Sequence, residues 1–173
     1  LATASPTFTL MSRMTPGRLA LMPAPLAAGR GAGFAAGAGA AAGVMNAIAR
    51  ASEPFNAVAV IGFAAGSIDF KQGDIVAPNR TMYHDCDVPE GFIPELTDPY
   101  TLAGTDEVTV FTGDSFVNAT SVPEIMTRFN TASAIFDMEI MAVAIAVRDY
   151  ANAIPLVAVK YISDVPQSGH NEW

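Results

Sequence analysis

The amino-acid sequence predicts an α/β fold, a three-layer sandwich in which helices cover both faces of a central, mostly mixed sheet. Three observations carry this expectation. Short apolar, β-branched runs such as Asn56–Gly62 and Leu156–Ile162 alternate with stretches of helical spacing, the order that layers helices on a sheet. Several of these runs end in a small-residue or acidic segment, and in α/β sheets ligand crevices open at strand ends. At 173 residues the chain has the length of one domain with its own core, and no repeat period divides it.

Each element has a local reason. Pro6, Pro16, Pro23 and Pro25 break residues 1–26 and leave room for one short strand at Arg18–Met22. Gly37–Ala51 is a glycine-opened helix whose small side chains permit close packing. Asn56–Gly62, NAVAVIG, is a buried strand that runs into a small-residue turn, FAAGS. Asp74–Ala77 is a short strand preceding the polar cluster YHDCD at Tyr83–Asp87, and Val88–Asp106, with Pro89, Pro94 and Pro99, is loop. Glu107–Thr112 restores strand character before GDSFVN, and Pro123 opens a helix through Phe129. Ile135–Glu139 is a strand, Ile140–Ala151 a helix with an apolar and a solvated side, and Leu156–Ile162 the last strand. Together these form a single domain over residues 1–173.

Composition narrows the partners. With 9 Lys+Arg against 17 Asp+Glu the formal net charge is -8, which repels phosphate backbones and argues against a nucleic-acid partner. One cysteine, Cys86, excludes an internal disulfide and a cysteine-built zinc site, and suits a cytoplasmic compartment. The triplets Asn79-Arg80-Thr81 and Asn118-Ala119-Thr120 would fit a secreted or vacuolar protein if they carried sugar. Ala27–Gly43 is apolar but too rich in small residues, and interrupted by Arg30, to serve as a membrane span. The histidines, His84 and His170, lack further ligands at metal spacing, so neither a metal nor a cofactor is expected.

Five places carry candidate chemistry, each with a plainer alternative. Gly62–Gly66 lets a ligand approach the backbone, or is an ordinary tight turn. His84 in Tyr83-His84-Asp85 lines a pocket, or is a hydrogen-bonded loop histidine. Asp137-Met138-Glu139 ends an apolar strand in two acids: Glu139 suits a vicinal diol and Met138 a soft wall, while acids also suit a helix start. Phe116 offers a face to a flat heterocycle, or is core. Asp164, after the apolar run LVAVKYIS, is a general acid or a helix cap.

In that order, GFAAGS, GDIV, YHDCDV, TGDSFV, FDMEIMA and KYISD resemble the nucleoside phosphorylase superfamily, and most closely its methylthioadenosine/S-adenosylhomocysteine nucleosidase branch. The resemblance spans roughly Gly37 to Asp164. It implies hydrolytic cleavage of an adenine nucleoside, with Asp164 protonating N7 of the leaving base and Ser163 orienting it. It further implies that Phe116 stacks on the purine, the Val117 backbone reads its edge, Met138 and Glu139 hold the ribose, and Ala65 lies near the sugar and the attacking water. A homo-oligomer, with a dimer as first guess, follows from the same resemblance.

The chain also departs from that pattern. Residues 1–36 contain no acid to match the family's water-activating glutamate, the family's turn has a small polar residue and paired glycines where this chain has Phe63, Ala64, Ala65 and Gly66, and the stretch of about residues 90–106 is short. The expectation is a record incomplete at both ends and within that stretch. Arg80 is the one obvious basic residue near GDIV, which favours water over phosphate as nucleophile. The alternatives are a purine nucleoside phosphorylase, or a storage or binding member of the same fold.

Overall fold

A computed structural model of the chain describes residues 19–23, 32–89, 91–151 and 154–169. The chain forms β1 (Leu19–Pro23), α1 (Ala32–Arg50), β2 (Ala57–Gly66), β3 (Ile75–Val76) and β4 (Pro78–Tyr83). It continues with α2 (Pro94–Thr97), β5 (Tyr100–Thr101), β6 (Asp106–Thr112), α3 (Ser121–Arg128), β7 (Ala134–Asp137), α4 (Ile140–Ala151) and β8 (Leu156–Asp164), then a short 3-10 turn at Pro166–Ser168.

The 8-stranded sheet has the order β3-β8-β2-β7-β6-β4-β5, with β1 also paired to β2. Strands β1 and β8 each pair parallel with β2, β7 and β4 each pair parallel with β6, and the two blocks meet antiparallel where Ala65 and Gly66 pair with Phe136 and Ile135. The mixed sheet is thus as expected. Because Ala77 alone separates β3 from β4, the path returns to where it began and the sheet curls on itself.

Alternation along the strands splits the core in two. Val58, Val60 and Ala64 of β2, Leu156, Ala158 and Ile162 of β8, and Ile135 and Val110 face α1 and α4, whose buried side chains include Val44, Ile140, Met141 and Val143. On the other face Phe111, Phe136 and Ala134 pack with Val122 and Ile125 of α3. Helices on both faces give the expected three layers. Among the described residues no helix is long and apolar enough to cross a membrane.

Several local expectations fail. The FAAG segment is strand, not turn: β2 runs on to Gly66, held by β8 on one side and β7 on the other, with a register shift between Ala64 and Ala65. Gly66 is still required, because a Cβ there would lie 2.8 Å from Phe70 Cβ. Residues 78–83, PNRTMY, form a full strand where no strand was expected, and the 88–106 loop holds α2 and β5. The first helix also starts earlier, at Ala32.

Candidate active site

The carboxyl end of β8 is the natural starting point. Asp164 is half-buried and pairs in register with Ala65 of β2, so the candidate acid and the candidate sugar-side residue are strand neighbours. Ser163 Oγ lies 2.8 Å from Asp164 Oδ1 and 3.3 Å from the Ala64 carbonyl oxygen, close enough to orient the carboxyl group. The cap alternative fails: Val165 precedes the Pro166–Ser168 turn, and no side chain caps it. Asp164 is therefore free of that duty.

Because β7 runs antiparallel to β2, the segment after Asp137 comes back alongside the middle of β2 and β8. Lys160, opposite Gly62, is 0% exposed and reaches across: its Nζ is 2.5 Å from Asp137 Oδ2 and 3.8 Å from Glu139 Oε2. Asp137 also accepts from Thr112 Oγ1 at 2.7 Å and from the Ile140 amide at 3.2 Å, so it is Asp137 that serves the start of α4. Glu139, 5% exposed, has its carboxyl pushed up to about 7, first by burial and then by Asp137, with Lys160 opposing. Met138 is half-buried, and α1 approaches its carbonyl closely: a Cβ on Gly37 would stand 3.1 Å from that oxygen.

The loop after β6 is held by the YHD segment. The His84 amide donates to the Thr112 carbonyl at 3.0 Å and Asp85 Oδ2 accepts from the Asp114 amide at 2.6 Å, while Gly113 lies against the His84 ring. His84 is buried edge-on to Phe136, and burial holds its pKa below the usual histidine range. It is a packing residue behind the loop. Beyond the clamp, Phe116 is 60% exposed and presents its ring to solvent, while Val117 packs on the same apolar cluster as Ala65 and Phe136.

Ala65, Ser163 and Asp164 are thus neighbours at one strand end, and Val117 shares a cluster with Ala65, while Glu139 pairs with Lys160, four residues before Asp164 on β8. Phe116, next to Val117 in the chain, is exposed and stands outside the apolar cluster that holds Val117. Lys160 was missed as a site residue, although a lysine at an inward position of LVAVKYI, in phase with Leu156, Ala158 and Ile162, was a readable signal. Among the described residues no group of three or more His, Cys, Asp or Glu is placed to hold a metal. A cavity of about 320 Å³ at the carboxyl ends of α1 and α4, lined by Ile48, Glu53, Phe55 and Tyr150, shares no residue with this cluster.

Asn118 Oδ1 accepts from the Thr120 and Ser121 amides and so supports the start of α3, and Asn79 lies half-buried in β4.

Known proteins bear on the same geometry. The chain resembles a putative 5'-methylthioadenosine/S-adenosylhomocysteine nucleosidase from Borrelia burgdorferi bound to adenine, with TM-score 0.62 and 22% identity over 75% of this chain and 64% of that one. It resembles the S-adenosylhomocysteine nucleosidase of Streptococcus pyogenes with TM-score 0.61 and 22% identity over 75% of this chain and 63% of that one. A futalosine hydrolase mutant from Helicobacter pylori matches with TM-score 0.55 and 21% identity, over 69% of this chain and 63% of that one. The chain therefore spans less than two thirds of each of these structures. No curated protein sequence matches it. The likenesses show the fold, and the sequence itself shows the family: residues 25–173, which hold every candidate site residue from Ala65 to Asp164, match the phosphorylase superfamily, and the chain belongs to it.

Proposed function

We propose that the protein is an adenine-nucleoside nucleosidase that releases adenine from substrates of the 5'-methylthioadenosine and S-adenosylhomocysteine type. The observation that carries this reading is Asp164 at the end of β8, oriented by Ser163, strand-paired to Ala65 and not used as a cap. Asp164 delivers a proton to N7 of adenine as the C1'–N9 bond breaks, and the bond electrons leave with the base. The water oxygen then bonds to C1', and the proton it sheds passes through solvent to restore Asp164. Glu139 accepts from the ribose hydroxyls and favours the positive charge that develops on the ring, Phe116 stacks on the purine, and the Val117 backbone meets its edge. No Asp or Glu occurs in residues 1–36, so the base that takes the water's proton does not come from that stretch.

Charge favours water over phosphate. Asp137 and Glu139 set two carboxyl groups against the ammonium of Lys160, which is already paired and so is not free to receive an incoming phosphate. A binding protein of the same fold is the other reading, since the water-activating acid has no counterpart in residues 1–36.

The test is adenine release from 5'-methylthioadenosine with and without phosphate. Release in both conditions is expected; release only with phosphate would make the protein a phosphorylase, and binding of adenine without release would make it a binding protein. Asp164→Asn should lower turnover by at least about a hundredfold while ligand affinity stays close to wild type, because the lost group acts in the transition state. Unchanged turnover would sink the assignment.

A further inference from the structure

A fully buried ammonium needs a reason, because desolvating it is unfavourable unless its partners are well placed. Lys160 has two, and they are unequal. Asp137 is committed on every side: Lys160 at 2.5 Å, Thr112 Oγ1 at 2.7 Å, and the Ile140 amide at 3.2 Å, while Thr112 Oγ1 in turn accepts from the Met141 amide at 3.1 Å. Glu139 is held more loosely, with Lys160 Nζ at 3.8 Å from Oε2, beyond hydrogen-bond range but well within electrostatic reach. The arrangement fixes one carboxylate on every side and holds the second by the Met138 backbone amide and the Lys160 charge, with acceptor capacity left for a ligand.

We propose that Lys160 is a positioning residue that aims Glu139 at the sugar and sets the pH below which the sugar is no longer held. This rests on Glu139 being the ribose-binding carboxylate. The charged groups that face Glu139 are Asp137 from β7 and Lys160 from β8, and they act in opposite directions: Asp137 favours the protonated form, Lys160 the ionised one. Ionised Glu139 accepts from the two ribose hydroxyls with one oxygen each, whereas protonation turns one of those acceptors into a donor. Sugar binding is therefore present above about pH 7 and lost as pH falls through that value.

The two neighbours give two variants with opposite expected shifts. Lys160→Met removes the attraction and moves the midpoint of sugar binding to higher pH, by at least about one pH unit. Asp137→Asn removes the repulsion and releases Lys160 to Glu139 alone, moving the midpoint to lower pH by a similar amount. The asparagine keeps its contacts by turning its carbonyl to Lys160 and Ile140 and donating its amide to Thr112. Lys160→Arg keeps the charge and should keep the midpoint.

The measurement is calorimetric affinity between about pH 5 and pH 9 for a non-hydrolysable 5'-methylthio nucleoside and for free adenine, which lacks the sugar. In wild type the nucleoside-to-adenine affinity ratio should fall about tenfold per pH unit below the midpoint, as for loss of one ionised group. Shifts upward in Lys160→Met and downward in Asp137→Asn support the role. If Lys160→Met does not fold, Asp137→Asn decides alone, and a midpoint that stays or rises in it overturns the proposal. Absence of binding by either ligand to wild type would instead overturn the nucleosidase reading.

Discussion

Burial beside Asp137 raises Glu139 to about 7, from an ordinary 4.5, and the sign of that shift dictates a pH dependence of folding. A carboxyl whose folded pKa exceeds its unfolded one contributes stability that is fully present below pH 4.5 and lost as pH rises through about 7. Glu139→Gln, which cannot ionise, should flatten that slope and stabilise the protein above pH 7 by on the order of 2 kcal/mol. Urea midpoints at acid and mildly alkaline pH check this; an equal gain at both would show that packing, not ionisation, is responsible. In binding, Glu139→Ala should weaken a ribose-bearing ligand by tenfold or more yet leave free adenine almost unchanged, since adenine brings no diol. At this scale Asp164 was legible, because a carboxylate ending an apolar run is locally unexplained. Lys160 was less so: its meaning lies in β7, which pairs with the far side of β2, and linear sequence does not display that antiparallel meeting.

The element that deserves a separate test is the loop between β6 and α3, since it carries Phe116 and Val117 yet owes its position to the YHD segment far away in sequence. A methyl group on Gly113 would enter the His84 ring, 2.0 Å from Nε2, and that ring is confined by Phe136. Gly113→Ala should therefore displace the loop, costing about 1–3 kcal/mol of stability by overpacking. It should weaken purine binding more than Gly39→Ala, where a Cβ meets open space, and thermal melts with adenine titrations separate the two. Helix α4 and strand β8 were readable from periodicity because their apolar positions are densely filled. Strand β4 was not: Pro78, Asn79 and Arg80 lack strand propensity, and its existence depends on β6 on one side and β5 on the other. FAAG misled for the opposite reason. Small residues imitate a turn, whereas here they let β2 run between β7 and β8 with Gly66 tight against Phe70.

For the whole molecule, the curled sheet and the charge balance act together. Curling brings the β2/β8 block and the β7/β6 block around one group of buried polar side chains, so Asp137 and Glu139 share one electrostatic environment with Lys160, more than twenty residues away in sequence. That environment is net negative locally, and the chain carries -8 overall. Composition alone announced the sign but not its concentration at the site. Nothing in such a field opposes a neutral nucleoside, whereas a 5'-phosphate brings about two negative charges toward Asp137 and Glu139 with Lys160 already engaged. Adenosine 5'-monophosphate should therefore bind at least about tenfold more weakly than 5'-methylthioadenosine, and the gap should narrow as salt rises, because screening acts on the charged ligand only. Competition titrations at about 0.02 M and 0.5 M salt measure both. A gap that does not change with salt would assign the discrimination to shape, and a phosphate ester that bound more tightly would mean that Lys160 is released to anions when ligand arrives.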